Sequence, residues 1–99
     1  MIIWVDADSC PVRIREIVSR AARKRGIIAK FVANRPIPLP NSNSVELEVV
    51  PAEEDGADAR IVECAQPGDL IITRDIPLAA KLVEGGLRVL NDRGETFTE

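Results

Sequence analysis

Short apolar runs, broken at proline, glycine and acidic residues, set the rhythm of this chain, and they fall into two kinds. Residues 2–5 (I-I-W-V) and 69–73 (D-L-I-I-T) are dominated by continuous apolar runs, the pattern of strands buried on both faces. Residues 27–33 (I-I-A-K-F-V-A), broken by one lysine, and 87–90 (L-R-V-L) predict two further strands. Residues 44–50 (S-V-E-L-E-V-V) alternate apolar and charged positions, which predicts a half-exposed strand at a sheet edge. Between the strands the apolar spacing changes to three and four. Residues 11–25 carry Val12, Ile14, Ile17, Val18, Ala21 and Ala22 as one stripe, begin at Pro11 with Ser9 or Cys10 as the cap, and stop at Gly26. Residues 57–66 and 76–84 predict two shorter helices, closed by Pro67-Gly68 and Gly85-Gly86. Residues 34–43, with three prolines, are an extended loop, 51–56 an acidic loop with Glu53, Glu54 and Asp55, 91–94 a turn, and 95–99 a short final strand.

The order β-α-β-β-α-β-α-β predicts one α/β domain over residues 1–99. Its central sheet is mostly parallel, of about five strands, with helices on both faces in three layers. The two most apolar strands should be central and adjacent. Their carboxyl ends would then form the crevice where ligands bind in open α/β sheets.

Composition narrows the chemistry. Only Trp4, Phe31 and Phe97 are aromatic, too few for a base-stacking platform. There is no histidine, which excludes a His-based triad and leaves a hard, oxygen-bound ion such as Mg²⁺ or Mn²⁺ as the metal to expect. Cys10 and Cys64 form no CxxC pair. No apolar run approaches a membrane span or a signal-peptide core, so the expected setting is cytoplasmic, with no membrane partner. Net charge is −3, unevenly spread: six cations against Glu16 over residues 13–25 make that helix +5 and the remainder −8. A basic helix on an acidic protein is either a contact for a phosphate backbone, RNA being the candidate partner, or a solvated face whose last-turn cations suit the dipole.

Candidate chemistry collects at the predicted carboxyl edge. Asp6 and Asp8 end the first strand, Asp75 follows the fourth with Thr73 before it, and Asp58 opens the second helix. Crowded carboxylates gather Mg²⁺ or Mn²⁺. The same residues read one at a time are helix caps and first-turn acids. Thr73, Asn34, Arg35, Arg74 and Arg13 are the candidate substrate-binding residues at these ends; Asn34 and Arg35 either bind phosphate oxygens or simply begin the proline loop, and Arg74 is open in the same way. Cys10, beside a predicted helix start, is either a reactive thiol or a small packed residue. The V-D-A-D stretch also resembles the start of haloacid-dehalogenase-like phosphatases, with Asp6 as nucleophile and Asp8 as acid/base, although the chain lacks room for a cap and the usual late paired acids. The half-exposed strand could add edge to edge to a second copy, a route to a homodimer, and a non-catalytic RNA-, nucleotide- or protein-binding module is the third reading.

The blocks V-D-A-D-S-C-P-V (5–12), V-A-N-R (32–35), G-A-D-A-R-I-V (56–62), G-D-L-I-I-T-R-D-I-P-L-A (68–79) and N-D-R-G (91–94) occur in order and together resemble the YaiI/YqxD family of small uncharacterised bacterial proteins. That family is similar to PIN-like domains, metal-dependent nucleases with a parallel sheet and clustered acids. The resemblance implies a Mg²⁺ or Mn²⁺ site from Asp6, Asp8, Asp58 and Asp75, with Thr73 close by; the nuclease activity it implies is an analogy of fold. Two departures stand out. Asp92 replaces the proline of the family's Asn-Pro-Arg-Gly, as an extra acid or a turn residue, and the family continues into a helical carboxy-terminal segment beyond the length seen here.

Overall fold

The computed structural model describes residues 1–52 and 56–97. The expected acidic loop at Glu53, Glu54 and Asp55, and the last two residues of the expected final strand, lie outside the described residues. Eight elements follow one another: β1 (Ile2–Asp6), α1 (Arg13–Arg25), β2 (Ile28–Ala33), β3 (Val45–Val49), α2 (Gly56–Cys64), β4 (Leu70–Ile72), α3 (Ile76–Glu84) and β5 (Arg88–Leu90). The five strands form one sheet in the order β3-β2-β1-β4-β5, every pairing parallel. The most apolar strands, β1 and β4, are central neighbours, and β3 with its alternating glutamates is an edge. The segment after β5 adds only an isolated antiparallel bridge, Leu90 with Thr96.

The two-residue period of the strands sorts the core into two layers. Ile3, Val5 and Ala7 pack on one face with Ala29, Phe31 and Ile72 beneath Ile14, Val18 and Ala22 of α1. Trp4 packs on the other face with Val32, Ile71 and Val89 beneath Ile61 of α2 and Leu78 and Leu82 of α3. Helices therefore cover both faces, one on the first and two on the second, giving three layers. Ile37 and Leu39 of the proline loop lean on the α1 layer, so this loop runs down the flank of α1. Among the described residues no helix is long and apolar enough to cross a membrane.

The start of α1 differs from the expectation. The helix begins at Arg13, Val12 holds the capping position without a side-chain hydrogen bond, and Pro11 only contributes its carbonyl to the Ile14 N–H. Ser9 is not the cap because its hydroxyl bonds the Asp6 carbonyl. Cys10 is no cap either, its Sγ lying 4.0 Å from the Ile72 carbonyl oxygen. At the other end Gly26 takes the left-handed conformation (φ 67°) that closes α1 on the Ala22 and Arg23 carbonyls.

One buried acid fastens the opposite end of the sheet. Asp69, 8% exposed, accepts from Ile2 N (2.9 Å), Trp4 Nε1 (3.0 Å) and Gln66 N (3.0 Å). It thereby ties the first residue of β1 to the turn before β4. Burial alone would raise its pKa, but these hydrogen bonds and the nearby amino terminus hold it below the ordinary carboxylate value. A depressed pKa means that its stabilisation is complete above the unfolded value of about 4 and fades as pH falls through the folded one. Asp69→Ala should cost about 2–3 kcal/mol at neutral pH, because it orphans three donors. Urea melts from pH 7 to 3 should show the gap to wild type closing below pH 4; a gap constant with pH would contradict this role.

Candidate metal centre

The side-chain alternation that sends Trp4 toward α2 and α3 sends Asp6 the same way, two residues on and at the strand's carboxyl end. Both helices present their N-termini at this end, α2 with Asp58 in its first turn and α3 with Asp75 as its N-cap. Three acids from three elements thus converge. Asp6, Asp58 and Asp75 each offer a carboxylate oxygen, and these oxygens all lie within 4.8 Å of one another. Ligands on opposite sides of Mg²⁺, at about 2.1 Å each, are roughly 4.2 Å apart, so the spacing suits one small hard cation after slight closure. The helix N-termini also favour negative charge here.

The trio is held by a hydroxyl network. Thr73 follows β4 on the same face and donates its hydroxyl to Asp6 Oδ2 at 2.8 Å; the same Oγ1 accepts from Asp75 N at 3.0 Å. Ser9 Oγ lies 3.3 Å from Thr73 Oγ1 and accepts from Arg74 N at 3.0 Å. Asp75 Oδ1 accepts from Leu78 N at 3.0 Å, so Asp75 caps α3 while facing the other acids. Thr73 was expected beside the acids; Ser9 was expected only as a helix cap, and its bridging role depends on the turn that folds it back over β4. Gly56 supports the arrangement from behind: a Cβ there would meet the Pro51 carbonyl oxygen at 2.5 Å, so only glycine lets the start of α2 sit this close.

The other candidates are placed more loosely. Asp8 lines the same cleft, of about 250 Å³, with Asn34, but it stands outside the trio and accepts from the Asn34 backbone N–H at 2.9 Å. Arg74 is exposed and pairs with Asp92 at 3.5 Å, within a turn built on Asn91 Oδ1. Asp92 is thus a turn residue rather than a further acid of the site. Arg35 is exposed after β2 and does not line the cleft. Arg13 opens α1 and lines a different groove. Burial pushes the Cys10 thiol up to about 11, so at neutral pH it is a protonated, packed side chain.

A model of the "uncharacterized BCR, YaiI/YqxD family" matches residues 4–99. The chain belongs to this family. Relatives share about half of its residues: a "UPF0178 protein" of Treponema pallidum is 50% identical over 100 residues, covering all of this chain and 56% of the relative. Another of Treponema denticola is 53% identical over 98 residues (99% and 62%), and one of Vibrio atlanticus 48% over 99 residues (100% and 67%). The chain thus spans from just over half to two thirds of the length of these family members. No solved structure matches it significantly.

Asp6 is the costly member of the trio. It is 3% exposed, and burial pushes its pKa up; the Thr73 and Ser9 hydroxyls oppose this, while the charges of Asp75 and Asp8 add to it. A raised carboxyl pKa means that stability is lost as pH rises through it, so ionised Asp6 destabilises the metal-free fold at neutral pH. Asp6→Asn should therefore melt above wild type in EDTA at pH 7.5. Mn²⁺ should raise the wild-type Tm and leave that of the variant unchanged. A variant that melts below wild type in EDTA would show the charge to be fully compensated by the fold.

Proposed function

We propose that the chain is a divalent-cation-dependent phosphodiester hydrolase of PIN-like type, acting on RNA. The observation that supports this most is the convergence of Asp6, Asp58 and Asp75 at the carboxyl edge of β1 and β4, the switch point from which α1 and α3 leave to opposite faces. The donor set, all carboxylate with no histidine or thiolate, fits Mg²⁺ or Mn²⁺, and a cation would relieve the charge that burial penalises at Asp6. Asp6, Asp58 and Asp75 would hold the ion, with Asp8 on the cleft wall. When bound, it supplies Lewis-acid charge for the phosphate and a hydroxide nucleophile near neutral pH.

The chain's own groups do the positioning. Thr73 fixes the Asp6 carboxylate through its donated hydrogen bond, and Ser9 ties the Asp6 carbonyl to the Arg74 backbone. Asp8 holds the Asn34 backbone, and with it the chain leaving β2, at the mouth of the cleft. From there Asn34, which lines the cleft, would take phosphate oxygens, with Arg35 beside it in sequence and Arg74 exchanging Asp92 for substrate.

Wild type in Mn²⁺ should cleave end-labelled RNA, and EDTA should abolish the cleavage. Asp6→Asn and Asp75→Asn should each lower the rate by about 100-fold or more, through loss of the ion. Asparagine keeps the cap on α3, which separates this effect from loss of the helix end. Undiminished cleavage in either folded variant, or none by wild type, would overturn the reading.

A further inference from the structure

A second groove, of about 490 Å³, runs along the outer flank of α1 against the proline loop, away from the carboxylate trio. Arg13, Arg15, Arg20 and Arg23 line one side. Arg20 is neutralised by Glu16 at 2.8 Å, whereas Arg13, Arg15 and Arg23 have no ion-pair partner among the described residues. The floor holds polar groups the protein leaves unsatisfied. Ser19 is 5% exposed and its Oγ has no hydrogen-bond partner; Arg15 Nε is likewise buried and unpartnered. A buried hydroxyl and guanidinium N–H without partners destabilise a fold unless something that enters the groove accepts from them. The Arg15 N–H can only donate and the Ser19 hydroxyl can donate as well as accept, so an acceptor satisfies both, and the surrounding positive charge favours an anionic one. The opposite wall, Pro38 to Pro40, is anchored by Leu39 on the core and held extended by its prolines, so the groove is shaped before any ligand arrives.

We propose that this groove binds the phosphate backbone of a single-stranded nucleic acid, a choice of ligand that rests on the hydrolase reading above. Arg15, Ser19 and Arg23 are four residues apart and so form one stripe down α1, about 12 Å long at 1.5 Å per residue. That is room for more than one phosphate, which favours an oligonucleotide over a mononucleotide. Guanidinium forks take phosphate oxygens in pairs. With no aromatic side chain in the groove, the bases find no stacking platform, and contact is with the backbone and indifferent to sequence. Arg13, at the end of α1 that faces the carboxyl edge of β1, leads the strand toward Asp6.

The test is fluorescence anisotropy of a fluorescein-labelled 12-nucleotide single-stranded RNA with the full chain in EDTA, where no cleavage intrudes. Arg13→Gln/Arg15→Gln/Arg23→Gln should weaken binding at least tenfold and lower the slope of log affinity against log salt by about 2, near 0.7 per lost contact. Lys24→Gln/Arg25→Gln/Arg88→Gln removes three cations outside the groove and should stay within threefold of wild type. Arg13→Gln/Arg23→Gln changes only exposed side chains and serves as the folded control for the triple variant, with a smaller loss expected. Equal losses in the two triple variants would mean general attraction to a basic surface and overturn the site. So would no binding by wild type, or displacement of the RNA by millimolar inorganic phosphate, which would mark an adventitious ion only. The two readings fail separately: wild type that binds RNA through the groove but never cleaves it in Mn²⁺ removes the hydrolase and keeps the groove, while cleavage unaffected by the groove variants does the reverse.

Discussion

A carboxylate at the end of a buried central strand is expensive to keep ionised, and the surroundings of Asp6 are built around that expense. The strand needs its apolar run to sit between α1 and the α2–α3 layer, and its pleat then drives Asp6 into the second layer rather than into solvent. The Thr73 hydroxyl, with Ser9 beside it, returns part of the lost hydration. The N-termini of α2 and α3 set favourable dipoles beside it, yet they also bring Asp58 and Asp75, which restore the crowding. An arrangement that gathers like charges where it has just removed water is poor for stability alone. Under the proposed function a cation would complete the balance.

The opposite end of the sheet strikes the opposite bargain. Asp69 is also buried, but it accepts from three donors and is held ionised at no net penalty. Asp69 and Asp6 have similar exposure and opposite pKa directions, and the difference lies both in the donors each receives and in the charges nearby, the amino terminus for Asp69 and the Asp75 and Asp8 carboxylates for Asp6. The charge map has a matching division. Acids collect at the carboxyl edge of the sheet, and arginines line a groove along α1, three of them without an ion-pair partner among the described residues; under the proposed function a polyanion would be attracted to the flank and meet the acids only through a cation.

Much of this was legible in the sequence because it is written in local pattern. The apolar runs marked β1 and β4 as the central pair, the alternation of residues 44–50 marked an edge strand, and α3 spans residues 76–84 as its proline and glycines predict. The acids of the trio were visible as strand-end and helix-start residues. What pattern could not supply was competition for a side chain. Ser9 looks like a cap until the turn brings Thr73 within 3.3 Å. Asp8 looks equivalent to Asp6, but once past the strand it turns to the Asn34 backbone. Asp69 reads as the first residue of the fourth strand, whereas it lies just before β4 and its three donors come from β1 and the preceding turn. The Ser19 and Arg15 groups without partners lie on the basic helix, which the sequence reads as either a phosphate contact or a solvated face; their burial and the proline loop that lines the same groove are visible only in the fold.

The most direct test of the central claim is anomalous diffraction from crystals of the chain grown in Mn²⁺. A peak within about 2.5 Å of one carboxylate oxygen from each of Asp6, Asp58 and Asp75 is the predicted result. No peak at this cleft, or manganese bound only at surface acids elsewhere, would contradict the account and leave the three aspartates as strand-end and helix-start acids alone.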